Sequence, residues 1–249
     1  MTWEQFRGDT VVGDVRVLRG ELDRDLYAYL PPSYGNEGRF PVLYMHDGQN
    51  LFDEPTSANG EWRVDETMEE LAREGIEAIV VGVPNAGDHR AHEYAGTGMH
   101  EYLAFLAERV KPLVDTAFDT DPARQSTGLA GSSLGGFVSL VGFFRRAETF
   151  GLAGVMSPAF WWNDEIYEIV ERADFAPGKI WMDVGSDEHP ENPQRSRLYV
   201  DAFQRMTEIL RAKGYGDESL RTVLDDGAIH HESAWARRLP DMLRFLLGR

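Results

Sequence analysis

Along the chain, short apolar and β-branched runs alternate with longer segments in which apolar positions recur at helical spacing. That alternation predicts a mostly parallel sheet covered by helices. The runs at 11–18, 26–30, 40–45, 78–83, 126–130, 151–156, 180–184 and 219–224 read as eight strands. Helical periodicity covers 64–74, 100–117, 134–146, 164–173, 196–213 and 231–247. In the second of these, Tyr102, Leu103, Leu106, Val110 and Val114 share one stripe, and Pro112 is expected to kink or end the helix. The first two strands have no helix between them, and "PPSYGNEG" is a loop signal, so the sheet opens antiparallel before it turns parallel.

At 249 residues, with no repeat, linker or low-complexity block, residues 1–249 read as a single domain. Lys and Arg number 25 against 42 Asp and Glu, a formal net charge of −17. Such a charge repels phosphate backbones and anionic membrane surfaces, so neither nucleic acid nor a membrane is an expected partner. The chain has no cysteine, which excludes disulfides, thiolate catalysis and cysteine-based metal sites. Its start, "MTWEQFRGDTVVGD", carries charges where a signal peptide needs an apolar region, and no later run approaches membrane-spanning length; the expectation is a cytoplasmic protein.

The chemistry concentrates in "TGLAGSSLGGFVSL", Thr127 to Leu140. Gly131 to Gly135 reads G-x-S-x-G between a strand and a helix, with Ser133 at its centre. A strand that turns straight into a helix forces a strained backbone on the central serine, and the flanking glycines relieve the crowding. The helix that follows aims free N–H groups at the same place, which favours acyl chemistry. A purely structural turn is the bland alternative, and a phosphate loop is disfavoured because neither Gly-Lys-Ser/Thr nor G-x-G-x-x-G is present.

A serine nucleophile needs an acid and then a histidine after later strands. After "KIWMDV", "GSDEHPE" offers Asp187 and Glu188; after the last strand, "DDGAIHHESAW" offers His230 and His231. One member of each pair is expected to be ordinary loop surface. His89, His92, Asp88 and Glu93 in "NAGDHRAHEY" match no zinc spacing and read as a polar loop, so no metal is expected.

The segments "PVLYMHDGQNLFD", "VGVPN", "HEYAGTGMHEYLAFLAERVKPLVD", "GLAGSSLGGFVSL", "SPAFWW", "MDVGSDE" and "HHESAWARRLP" together resemble the esterase family of α/β-hydrolases. That family includes enterochelin-esterase-like enzymes, feruloyl esterases, S-formylglutathione hydrolases and mycolyltransferases. The resemblance runs from about Leu26 onward and implies an α/β-hydrolase fold without a large cap domain. It implies a serine esterase that cleaves small-molecule carboxylic esters through an acyl-enzyme and needs no cofactor.

By position, the resemblance makes Ser133 the nucleophile and Glu188, three residues after Gly185, the acid. His230 becomes the base, in a family pattern His-Asn-Glu where His231 stands in the Asn position. The backbone N–H groups of Gln49 and Leu134 become the oxyanion donors, and Trp161 or Trp162 lines an acyl or leaving-group pocket. The segment from Arg90 to His100 is shorter than in relatives with a longer loop, which implies a more open site. Acyl transfer to an alcohol by the same residues, or a non-catalytic binding module on the same fold, are the alternatives.

Overall fold

The computed structural model describes residues 2–36 and 38–248. Among these described residues, nine strands form one sheet in the order β1-β2-β3-β5-β4-β6-β7-β8-β9. They are β1 (Glu4–Gln5), β2 (Asp14–Leu18), β3 (Leu26–Leu30), β4 (Val42–His46), β5 (Ile79–Val83), β6 (Thr127–Ser132), β7 (Leu152–Met156), β8 (Lys179–Gly185) and β9 (Leu220–Asp225). The pairings β1/β2, β2/β3 and β3/β5 are antiparallel, and all those from β5 through β4 to β9 are parallel. The expected eight strands are present, and the ninth is β1. Its two exposed polar residues carry no hydrophobic pattern; they pair with β2, and Glu4 also meets Arg19 at 3.6 Å.

Strand starts moved for local reasons. The run at 11–18 begins its strand only at Asp14, because Gly13 is left-handed (φ 73°) and the Val12 N–H is drawn to Asp65 Oδ2 at 2.7 Å. The run at 40–45 begins at Val42, after Phe40 bridges to Thr120 and Pro41 interrupts the ladder.

Among the described residues, eight α-helices flank the sheet: α1 (Val64–Ala72), α2 (Arg90–Ala95), α3 (Met99–Phe105), α4 (Lys111–Ala117), α5 (Leu134–Arg145), α6 (Glu165–Arg172), α7 (Pro193–Ala212) and α8 (Glu232–Leu247). The stretch expected as one helix at 100–117 runs through Pro112. A π-helical turn, Leu106–Val110, joins α3 to α4, and the Lys111 N–H bonds the Leu106 carbonyl five residues back. Widening the turn just before a proline, which has no N–H to give, keeps the helix continuous. Helix α2 falls where the sequence read as polar loop.

Strand alternation splits the core in two. Val42 and Tyr44 of β4 face one cluster with Phe137, Val138 and Val141 of α5, while Leu43 and Met45 face another with Val64 and Met68 of α1 and Leu239 and Met242 of α8. Fully burying each such side chain stabilises by roughly 1.5–3 kcal/mol. The chain leaves β4 for β5 on one side, then crosses from β5 back past β4 to β6 on its other side. Their carboxyl ends therefore open a crevice at a topological switch point.

Candidate active site

Ser133 stands alone between the end of β6 at Ser132 and the start of α5 at Leu134, with φ 57° and ψ −121°. For a residue with a Cβ, this conformation costs on the order of 1–3 kcal/mol. It is held by bonds to the next strand and its loop: Ser133 N–H donates to Met156 O (2.9 Å), and Ser133 O accepts from Ala159 N–H (3.1 Å). A Cβ on Gly131 would meet Gly135 and His46, each at 3.1 Å; one on Gly135 would lie 3.3 Å from His46 Cβ. The glycines thus let α5 close onto β4 and β6 directly under the serine.

Glu188, 1 % exposed, lies in the loop after β8. Its Oε2 is 2.6 Å from His230 Nδ1. Its Oε1 accepts from the Gly185 N–H and from Ser157 Oγ, both at 2.6 Å. The backbone adds His230 N–H to Glu188 O at 2.9 Å. Burial pushes the Glu188 carboxyl upward, but the bonds from His230, Ser157 and Gly185 prevail and hold it below the usual range, so it remains a carboxylate. A side chain at Gly185 would collide with the Ala228 carbonyl, the same carbonyl that accepts from Asp187 N–H at 3.1 Å. That close approach of the β8 and β9 loops brings Glu188 to His230. The half-buried Asp187 side chain makes no hydrogen bond to His230 among the described residues.

With Nδ1 facing Glu188, the His230 ring has Nε2 left for the substrate side. His230 and Ser133 line one cavity of about 640 Å³. Three rings surround the imidazole: Trp235 perpendicular at 5.0 Å, Tyr199 at 4.9 Å and His189 stacked at 5.5 Å. The neighbouring His231 serves a different purpose. It is the N-cap of α8, its Nδ1 accepting from Ser233 N–H at 3.2 Å. The position that in the family pattern is Asn is therefore a helix cap, a place where Asn is a preferred residue.

Ser157, at φ 40°, is a junction the sequence reading missed. Its hydroxyl donates to Glu188 and accepts from Trp235 Nε1 (3.0 Å) and Arg238 Nη2 (2.8 Å). Arg238 also pairs with Asp183 at 3.2 Å. Burial pushes the Asp183 carboxyl up to about 6, against the opposing pull of Arg238 and of hydrogen bonds from Trp181 and the Ser157 N–H. The available signal for Ser157 was its place at the carboxyl end of β7, the strand beside β6; Arg238 had none.

On the other side of Ser133, Asp47 leaves β4 in a left-handed conformation (φ 56°) and leads into the 3₁₀ turn Gly48–Asn50 that contains Gln49. Arg90, at the start of α2, grips the Asp47 carboxylate through Nε (2.7 Å) and Nη2 (2.8 Å), and Asn85 Nδ2 adds a third donor at 2.7 Å. Gln49, Asn50, Asn59, Asn85, Arg90 and Trp62 line the same cavity as Ser133. Leu134 is the first residue of α5, so its N–H has no helical partner and projects from the helix start. Behind this loop His46 is fully buried, its Nδ1 2.8 Å from the Tyr102 hydroxyl, and burial lowers its pKa to about 3.

Trp161 and Trp162 are not among the residues lining that cavity. Trp161 packs on Tyr199 at 5.5 Å and under the Arg195 guanidinium at 5.4 Å, while Trp162 is 51 % exposed. His89 and His92 do not converge with Asp88 and Glu93, and Glu93 pairs with Arg24 at 2.6 Å. Among the described residues, Glu61, Asp65 and Glu66 bring oxygens within 4.8 Å of one another, and burial pushes the Asp65 carboxyl up to about 8. A proton held by Asp65 reduces the repulsion between these groups.

Comparison with known proteins gives the chain a family and likenesses of fold. Residues 20–246 match the family model described as "Putative esterase". The uncharacterized protein YbbA of Bacillus subtilis (strain 168) is 27 % identical over 236 residues, 91 % of this chain and 94 % of that one. A siderophore enterobactin esterase of Emericella nidulans is 32 % identical over 160 residues, which are 59 % of this chain and 52 % of the relative. Among solved structures, the enterobactin esterase FES from Shigella flexneri superposes with a TM-score of 0.75 at 18 % identity, over 97 % of this chain and 60 % of that chain. Among the described residues, no helix is long and apolar enough to cross a membrane.

Proposed function

Since this chain belongs to that esterase family and is a carboxylic ester hydrolase, we propose that Ser133, Glu188 and His230 form its catalytic triad and act through an acyl-enzyme. The observation that carries this reading is the 2.6 Å contact of Glu188 Oε2 with His230 Nδ1, in a cavity that also receives Ser133 from a strained strand-to-helix turn. His230 Nε2 takes the Ser133 proton as Oγ attacks the ester carbonyl. Glu188, a carboxylate in this setting, holds the tautomer and stabilises the imidazolium. The N–H groups of Gln49 and Leu134 receive the negative charge on the former carbonyl oxygen. His230 returns the proton to the leaving oxygen, and a water repeats the sequence to free the acid. No cofactor enters this scheme.

The substrate in this reading is a small-molecule ester. A net charge of −17 disfavours polyanions and anionic membranes, and the polar lining of the cavity suits an ester with hydrogen-bonding groups. The relatives named for siderophore hydrolysis are consistent with such esters. The site draws on loops after β4, β6, β7, β8 and β9 of one sheet, so residues 1–249 act as a single α/β-hydrolase domain. A panel of chromogenic esters with graded acyl groups, run beside labelling by a fluorophosphonate, tests the reading. Ser133→Ala is expected to lose both labelling and on the order of 10³-fold or more in ester hydrolysis. Labelling that persists in Ser133→Ala moves the nucleophile elsewhere.

A further inference from the structure

Three carboxylates that the proposed triad does not use meet where the N-terminal segment touches the start of α1. Glu61, Asp65 and Glu66 bring oxygens within 4.8 Å of one another. Each carboxylate is fixed through one of its oxygens. Glu61 Oε2 accepts from Thr10 Oγ1 at 3.0 Å, Asp65 Oδ2 from the Val12 N–H at 2.7 Å, and Glu66 Oε1 from Arg63 Nε at 3.0 Å. The second oxygen of each, Glu61 Oε1, Asp65 Oδ1 and Glu66 Oε2, is buried and has no hydrogen-bond donor among the described residues. Asp65 is 0 % exposed, while Glu61 and Glu66 are half-buried. An ordinary acidic patch turns its carboxylates to water, which satisfies their oxygens and screens their charges. Here three buried acceptors lack donors, and the groups that carry them repel one another. Arg63 offsets at most one of the three charges, from a side chain that is 66 % exposed.

We propose that Glu61, Asp65 and Glu66 form a binding site for a calcium ion. An all-oxygen set of carboxylates suits a hard divalent cation. Oxygens within 4.8 Å of one another can share one Ca2+ that lies about 2.3–2.6 Å from each. Magnesium demands near-octahedral geometry and keeps several waters, whereas these carboxylates are pinned at their other oxygens and close on a fully buried Asp65. Calcium accepts an irregular set of about six to eight oxygens, and water completes it beside half-buried Glu61 and Glu66. The ion neutralises charges that otherwise oppose one another. It also ties the segment bearing Thr10 and Val12 to α1, because those two residues hold the outer oxygens of Glu61 and Asp65. None of the three carboxylates lines the cavity that holds Ser133, so the site is structural and its fate is separate from that of the triad reading. The competing account is a proton shared among the carboxylates, which needs no ion.

Calorimetric titration of CaCl2 into the EDTA-stripped protein near neutral pH, beside thermal melts at rising Ca2+, separates the two. One Ca2+ per chain with a Kd of about 0.1 mM or tighter is expected, with MgCl2 bound at least about tenfold more weakly and a melting temperature that climbs with Ca2+. Asp65→Asn and Glu61→Gln are each expected to weaken Ca2+ binding by about tenfold or more and to remove most of the thermal shift. Glu61→Gln alters a half-buried position and keeps an oxygen for Thr10, so it decides the matter if Asp65→Asn does not fold. Absence of saturable binding up to about 5 mM Ca2+ leaves the shared proton and overturns the proposal. Binding that survives unchanged in both variants overturns it too, since that is diffuse attraction to a chain of net charge −17. Equal affinity for Mg2+ overturns the assignment to calcium.

Discussion

Ser157 Oγ lies 2.6 Å from Glu188 Oε1, and its hydroxyl oxygen is the acceptor for Trp235 Nε1 and Arg238 Nη2. With two donors pointing at the oxygen, the serine proton is directed to the carboxylate. The position of Glu188 is thus set from behind by β7 and α8 as well as by its own loop.

Replacing Ser157 with Ala removes one donor from a buried carboxylate, leaves Trp235 Nε1 without its acceptor and takes one acceptor from Arg238, which keeps Asp183. Unmade buried hydrogen bonds of this kind cost about 1–3 kcal/mol each. The expected result for Ser157→Ala is a clear fall in stability by urea titration, with kcat reduced by about tenfold through a less well held Glu188. Wild-type values for both would show that the junction has no bearing on the site.

The two acidic candidates separate sharply. Glu188→Gln is expected to lower kcat by on the order of 10³-fold, because an amide cannot stabilise the imidazolium and favours the wrong tautomer. Asp187→Asn, whose side chain has no hydrogen bond to His230 among the described residues, is expected to remain near the parent. Measuring both on one short-chain ester decides the matter, and a crippled Asp187→Asn beside an active Glu188→Gln reverses the assignment.

The adjacent histidines play different parts. His230→Ala is expected to abolish turnover and, by leaving the buried Glu188 Oε2 without its partner, to lower stability by about 1–3 kcal/mol. His231→Ala removes the α8 cap and is expected to cost about 0.5–2 kcal/mol while leaving the rate largely intact; His231→Asn, which restores a capping side chain, retains both properties. Thermal melts and rates of the three variants are the check, and loss of turnover in His231→Asn would move the base by one residue.

Buried His46 makes the fold acid-sensitive. Its pKa falls from 6.5 to about 3 through burial, so between these values the unfolded chain takes up a proton that the folded chain refuses. Stability from this residue is therefore complete above pH 6.5 and declines by about 1.4 kcal/mol for each unit of pH below it. His46→Gln, which has no titrating group there, is expected to flatten that part of the profile when unfolding free energies are measured from pH 7 to 4. An unaltered slope would place the acid sensitivity in other groups.

Much of this was legible in the linear chain, because it depends on neighbours in sequence. Strand and helix periodicity, the antiparallel opening of the sheet and the G-x-S-x-G turn follow from local alternation and from glycines where backbone space is short. The choice of Glu188, three residues after Gly185, came from the family resemblance and not from periodicity, and the structure puts both groups on one hydrogen bond. Adjacent candidates such as His230 and His231 are equivalent by composition. The family resemblance put the base at His230, and the structure gives the physical difference: α8 begins at Glu232, which makes His231 a cap and leaves His230 facing Glu188. The support from Ser157 was out of reach for a different reason. Its partners Glu188, Trp235 and Arg238 lie 31, 78 and 81 residues away. Distances across such separations are set by how β7, β8 and α8 pack, and the polar side chains that meet there carry no periodic signal of their own.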